Sequence, residues 1–164
     1  MDILEYAMQM EKDGETFYRE LAKKCHAPGF ERILNMLADD EVKHYEMLNK
    51  MHQKLEHPEL LESEILTKAK NIFAQMKEEK QALVCPPTEE DLYHEALEIE
   101  RKSLAFYEEK AKEVKDEVAR EALNKLAAAE KKHVRLLENL VDFVANPATW
   151  LEDAEWYHLD QLPE

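Results

Sequence analysis

Apolar side chains recur along this chain at intervals of three and four residues, the period of an α-helix, and strand-like alternation is hard to find. Leu4, Ala7, Met8, Tyr18, Leu21, Ala22 and Cys25 form a first stripe and predict a helix from about Asp2 to Cys25. His26-Ala27-Pro28-Gly29 breaks it, because Pro and Gly interrupt helices. Ile33, Leu34, Leu37, Leu48 and Met51 predict a second helix from about Phe30 to Leu55. A connecting region runs from His57-Pro58 to Cys85-Pro86-Pro87, with helical patterning of its own between Leu60 and Lys80. Thr88, with Asp91 three residues on, has the spacing of a capping box and opens a third helix that reaches about Val114. A short turn near Lys115-Asp116 leads to a fourth, which carries Val118, Leu123, Leu126, Leu137, Leu140 and Val144 and stops at Asn146-Pro147. The tail holds Trp150, Trp156 and Tyr157, expected to dock as a short helix.

The two halves repeat at a constant offset of 89 residues. Ala7 maps onto Ala96, Phe17-Tyr18 onto Phe106-Tyr107, Leu34 and Asn35 onto Leu123 and Asn124, and Leu37-Ala38 onto Leu126-Ala127. A lone helical hairpin cannot bury its apolar stripe, whereas two stacked hairpins can. The expected fold is all-α: a four-helix bundle at 1–145, with hairpins 1–55 and 88–145, a helix-containing crossover at 56–87 and a tail at 146–164.

Six polar residues interrupt the stripes: Glu11, Glu41 and His44 in the first half, and Glu100, Glu130 and His133 at the same offset in the second. Glu and His three residues apart share a helix face. The glutamates of each hairpin are 30 residues apart and centred on the predicted turn. Each carboxylate then lies roughly 22 Å from the turn at about 1.5 Å per residue, so all six side chains reach one layer. Unpartnered buried carboxylates are costly and repel one another. The nearby basic residues Lys12, Lys43, Arg101 and Lys132 fall off the stripes, which leaves metal as the expected partner.

Chance produces about one Glu-x-x-His in a chain of this composition, and three occur. The third, Glu155–His158, has Lys125 thirty residues before it and no flanking stripe, and is read as a surface coincidence. Four carboxylates and two imidazoles suit two iron ions, or manganese or a mixed pair. Glu11 and Glu100 are expected as terminal ligands and Glu41 and Glu130 as bridges, with one histidine per metal. Tyr18 and Tyr107 sit two turns beyond the terminal glutamates. They are either core aromatics or hydrogen-bond and proton donors to the carboxylates, and so candidate catalytic residues. Asp40, just before Glu41, is placed to orient a ligand histidine; its repeat counterpart is Ala129.

The net charge of −15 argues against nucleic-acid binding. No apolar run is long enough to span a membrane and the N-terminus has no signal-peptide pattern, so a cytoplasmic location is expected. Cys25 and Cys85 make neither a disulfide framework nor a Cys-x-x-Cys metal site.

Glu11-Lys12-Asp13-Gly14-Glu15-Thr16-Phe17-Tyr18-Arg19 resembles the first helix of short rubrerythrin-related proteins. Asp40-Glu41-Val42-Lys43-His44 and Glu130-Lys131-Lys132-His133 resemble their second and fourth helices. The resemblance covers about residues 1–145 and implies a ferritin-like bundle with a non-haem di-iron centre. It implies an oxidoreductase that reduces hydrogen peroxide or reacts with dioxygen under oxidative stress. The chain lacks a rubredoxin-type domain, so electrons would come from a separate donor such as a rubredoxin. Rubrerythrins proper carry a further glutamate one turn after the third-helix ligand; here that position is Ser103, with Gly14 as its repeat partner. Ferroxidase activity with iron storage, or a non-enzymatic metal-binding bundle, are the alternatives. A homo-oligomer, a dimer in the simplest case, is expected.

Overall fold

The computed structural model describes residues 2–24, 27–54, 60, 62–79 and 87–161. Helices α1 (Ile3–Lys24) and α2 (Pro28–His52) pair as one hairpin, and α4 (Pro87–Glu113) and α5 (Glu117–Ala145) as the other. Helix α3 (Ile65–Glu78) belongs to the crossover and packs on α2 and α5. A short α6 (Pro147–Trp150) and a 3-10 turn (Ala154–His158) close the described chain. No strand occurs among the described residues, and the chain folds as the two-hairpin helical bundle its periodicity predicts, the ferritin-like arrangement that the resemblance implies.

Local chemistry sets the boundaries. Helix α2 starts two residues earlier than the sequence predicts, with Pro28 in its first turn, where the fixed φ of proline suits a helix and its missing N–H costs nothing. Gly29 therefore lies inside α2, where the backbone meets α3: a Cβ there would stand 2.6 Å from Cγ of Met76. Asp116 starts α5 by accepting from the Ala119 N–H at 3.0 Å. Asn146-Pro147 ends it as expected. Of the expected break His26-Ala27-Pro28-Gly29, His26 lies outside the described residues, as do Cys25, Cys85-Pro86, most of the crossover's first stretch and the side chain of Thr88.

The apolar core falls into two clusters. The larger includes Tyr18, Phe30, Leu34, Leu37, Phe73, Leu140 and Phe143, and is closed by the tail. Trp150 packs its ring 4.7 Å from Phe143 and 4.8 Å from Phe73, and the Trp156 indole N–H donates to the Leu151 carbonyl at 2.8 Å. The tail is thus a docked cap on the bundle. The smaller cluster gathers Ala7, Met47, Leu48, Tyr107, Leu123 and Leu126. The six interrupting polar residues belong to neither cluster, and all are buried. No helix among the described residues is long and apolar enough to cross a membrane.

Candidate metal centre

Mid-helix positions bring all six predicted residues together. Glu11, Glu41, His44 and Glu130 form one group whose ligand atoms lie within 4.8 Å of one another. Glu41, Glu100, Glu130 and His133 form a second under the same limit. Glu41 and Glu130 belong to both. The two imidazoles stack with ring centroids 5.5 Å apart. Nδ1 of His44 lies 3.3 Å from Glu11 and 3.3 Å from Glu130. Nδ1 of His133 lies 3.0 Å from Glu41, 3.4 Å from Glu100 and 3.5 Å from Glu130.

His44 Nδ1 hydrogen-bonds Glu11, but much of the layer stays unpaired. Glu41 Oε1, Glu100 Oε2, both oxygens of Glu130 and Nδ1 of His133 are buried without a hydrogen-bond partner. Buried polar groups are normally paired, and an orphaned cluster of acceptors points to a bound ion or ordered water. Five such atoms facing one layer, all from carboxylates or imidazole, fit two oxygen- and nitrogen-loving metal ions.

The electrostatics divide the residues by role. Burial alone would raise Glu11, but the charge of His44, a protonated Glu41 beside it and the Tyr107 hydroxyl hold it below its ordinary value. Burial opposes the ionised form of Glu100 too, yet protonated Glu130, charged His133 and Tyr18 bring it down to about 2. Glu41 and Glu130 are driven well up, first by burial and then by the neighbouring carboxylates. Against the cost of burial, Glu11 and Glu130 push His44 up to about 10. His133 is likewise raised, by Glu100 and Asp40. Glu11 and Glu100 thus favour the charged form, while Glu41, Glu130 and both imidazoles favour holding protons.

The surrounding hydrogen bonds cross between hairpins. The Tyr18 hydroxyl donates to Glu100 and the Tyr107 hydroxyl donates to Glu11. Each tyrosine therefore reaches the glutamate of the opposite hairpin, as antiparallel α1 and α4 require. Nε2–H of His133 donates to Asp40 Oδ2 at 2.9 Å, and the Ser63 hydroxyl donates to the same oxygen at 2.7 Å. Asp40 is held down to about 2: burial pulls the other way, but His133 and Ser63 outweigh it. Ser63, from the crossover, carried no signal in the sequence. Lys132 departs from its expected place off the buried face: it is only 9% exposed, because the crossover covers it and its ammonium donates to Glu62 at 3.2 Å and the Ser63 carbonyl at 3.0 Å.

Gly14 is buried against the layer, and a Cβ there would lie 3.3 Å from Glu41 Oε2. Glu155 and His158 are both exposed on the 3-10 turn and join neither group of the layer. A further group, Asp2, Glu5 and His52, is also exposed, with His52 Nε2 3.4 Å from Asp2.

The family model described as Rubrerythrin matches residues 2–141. The chain belongs to the rubrerythrin family. Comparisons with curated proteins and with solved structures gave no match. The rubrerythrin match spans both hairpins and the crossover, so it includes the whole polar layer. The family and the buried Glu/His cluster together identify a site suited to two metal ions.

Proposed function

We propose that this rubrerythrin-family chain is a di-iron oxidoreductase that reduces hydrogen peroxide, or reacts with dioxygen, using electrons from a separate donor. The orphaned buried carboxylates and imidazole carry this reading. Glu11 and His44 would hold one ion and Glu100 and His133 the other, with Glu41 and Glu130 shared. Two iron ions held there would supply two electrons and Lewis acidity for splitting the peroxide O–O bond, with two protons taken up to give two water molecules.

The chain's own residues do the rest. Tyr18 and Tyr107 are pushed well above the ordinary tyrosine range, first by burial and then by the glutamates they face, so both keep their protons. They act as neutral donors that steady Glu100 and Glu11 as charge at the layer changes. Asp40 fixes the His133 ring with Nδ1 directed at the layer. The apolar clusters on either side limit water to the few polar atoms of the layer. Ser103 and Gly14 provide no further carboxylate, so the six residues make up the whole proposed ligand set.

The test is protein purified without air, analysed for iron and mixed rapidly with peroxide or with dioxygen. Fast oxidation by peroxide and slow oxidation by dioxygen support a peroxidase. Equally slow oxidation by both removes the proposal.

A further inference from the structure

The repeat places six residues symmetrically, yet it leaves the histidines with different supports. His133 is fully buried, and its outward nitrogen donates to Asp40, which is itself held by Ser63. The position equivalent to Asp40 in the other half is Ala129. No group among the described residues accepts from Nε2 of His44. Where a second carboxylate would stand, the structure has a surface cavity of about 660 Å³, whose wall includes both His44 and Ala129. Lys43, Lys50 and Lys68 also line it. His133 is absent from that wall, and Asp40 stands between it and the cavity.

A carboxylate behind a ligating imidazole fixes its tautomer and orientation and strengthens it as a ligand. Losing such a partner typically costs about 10–100-fold in metal affinity. One position here has that support, with Asp40 between its histidine and the cavity; its counterpart lacks the support, and its histidine, though buried, lines the cavity wall directly.

We infer that the two metal positions are unequal: a divalent cation fills the His133 position first and tightly, while the His44 position binds later and exchanges through the cavity beside Ala129. This rests on the di-metal reading above.

The experiment is a stepwise titration of metal-free protein with cobalt(II) in the absence of air, followed by visible absorption and calorimetry, then release to a chelator. The wild-type chain should bind in two steps about 10–100-fold apart, and lose the weaker equivalent first. His44→Ala should keep the tight step alone, and His133→Ala the weak step alone. Asp40→Asn should move the first step toward the second while preserving side-chain shape. Ala129→Asp should move the second toward the first and slow its release. Two equal steps in the wild-type chain, or a tight step that survives in His133→Ala and vanishes in His44→Ala, overturn the inequality. Absence of any cobalt binding overturns the di-metal reading itself, and this inference with it. The wild-type titration stands even if a variant fails to fold.

Discussion

The hydroxyl of Tyr18 donates to Glu100, a residue on the other hairpin. Tyr107 and Glu11 repeat the contact in reverse, so each helical hairpin supplies the proton donor that holds its partner's carboxylate. Replacing either tyrosine with Phe leaves a buried carboxylate without its donor. Each single variant should lose about 1–3 kcal/mol of stability in the metal-free state, by urea unfolding. Because the contacts are equivalent, the two losses should be similar. A loss confined to one variant would mean that the repeat does not extend to the hydrogen bonds.

Gly14 shows the site overriding helix preference. Glycine within α1 is disfavoured by about 1 kcal/mol relative to alanine. An added methyl would press on Glu41 and displace its carboxylate by a few tenths of an ångström. Gly14→Ala should therefore keep or raise the stability of the metal-free protein while weakening metal binding about tenfold. Unchanged affinity by calorimetry would show that Glu41 accommodates the methyl without consequence.

Proton balance gives a third expectation. Glu41, Glu130, His44 and His133 bind protons more tightly in the fold than in the unfolded chain. The stability this confers is present at low pH and is lost as pH rises; for His44 it is complete below the ordinary 6.5 and gone above about 10. Asp40 and Glu100 work the other way. Their stabilisation is present above the ordinary 3.8 and 4.5 and is lost as pH falls toward about 2. Metal-free protein should thus unfold more easily at pH 10 than at pH 7, on urea titration. Metal must displace protons from the raised groups, so loading at pH 7 should release protons, His44 contributing one. Calorimetry in buffers of different ionisation enthalpy reads the release, and release of none would contradict the raised proton affinities.

The tail supplies a structural control. Trp156 is buried against Trp150 and Phe73, away from the polar layer. Trp156→Ala should cost about 3–5 kcal/mol in stability and leave metal stoichiometry unchanged in the folded protein. A changed stoichiometry would tie the cap to the site.

The helices and the six layer residues were legible because local rules govern both. A 3.6-residue period marks the stripes, and polar residues interrupting them at one offset stand out against it. The structure brings those six together, and their role as ligands is the proposal above. Asp40 was partly legible as the neighbour of Glu41, but its contact with His133 joins α2 to α5 and depends on how the hairpins stack. Ser63 and Lys132 were not legible at all. Their roles arise where the crossover folds over the bundle, and no periodicity encodes that contact. The start of α2 falls earlier than its pattern predicts because Pro28 suits a first turn and Gly29 a close helix approach, although both residue types usually break helices.

Anaerobic equilibrium dialysis of metal-free protein against ferrous iron, with iron counted per chain, tests the central claim most directly. Two ions per chain are expected in the wild type, with sharply reduced binding in the paired variant Glu41→Ala and Glu130→Ala. Well-folded protein that retains only traces of iron, or the same two ions after both shared glutamates are removed, would contradict it.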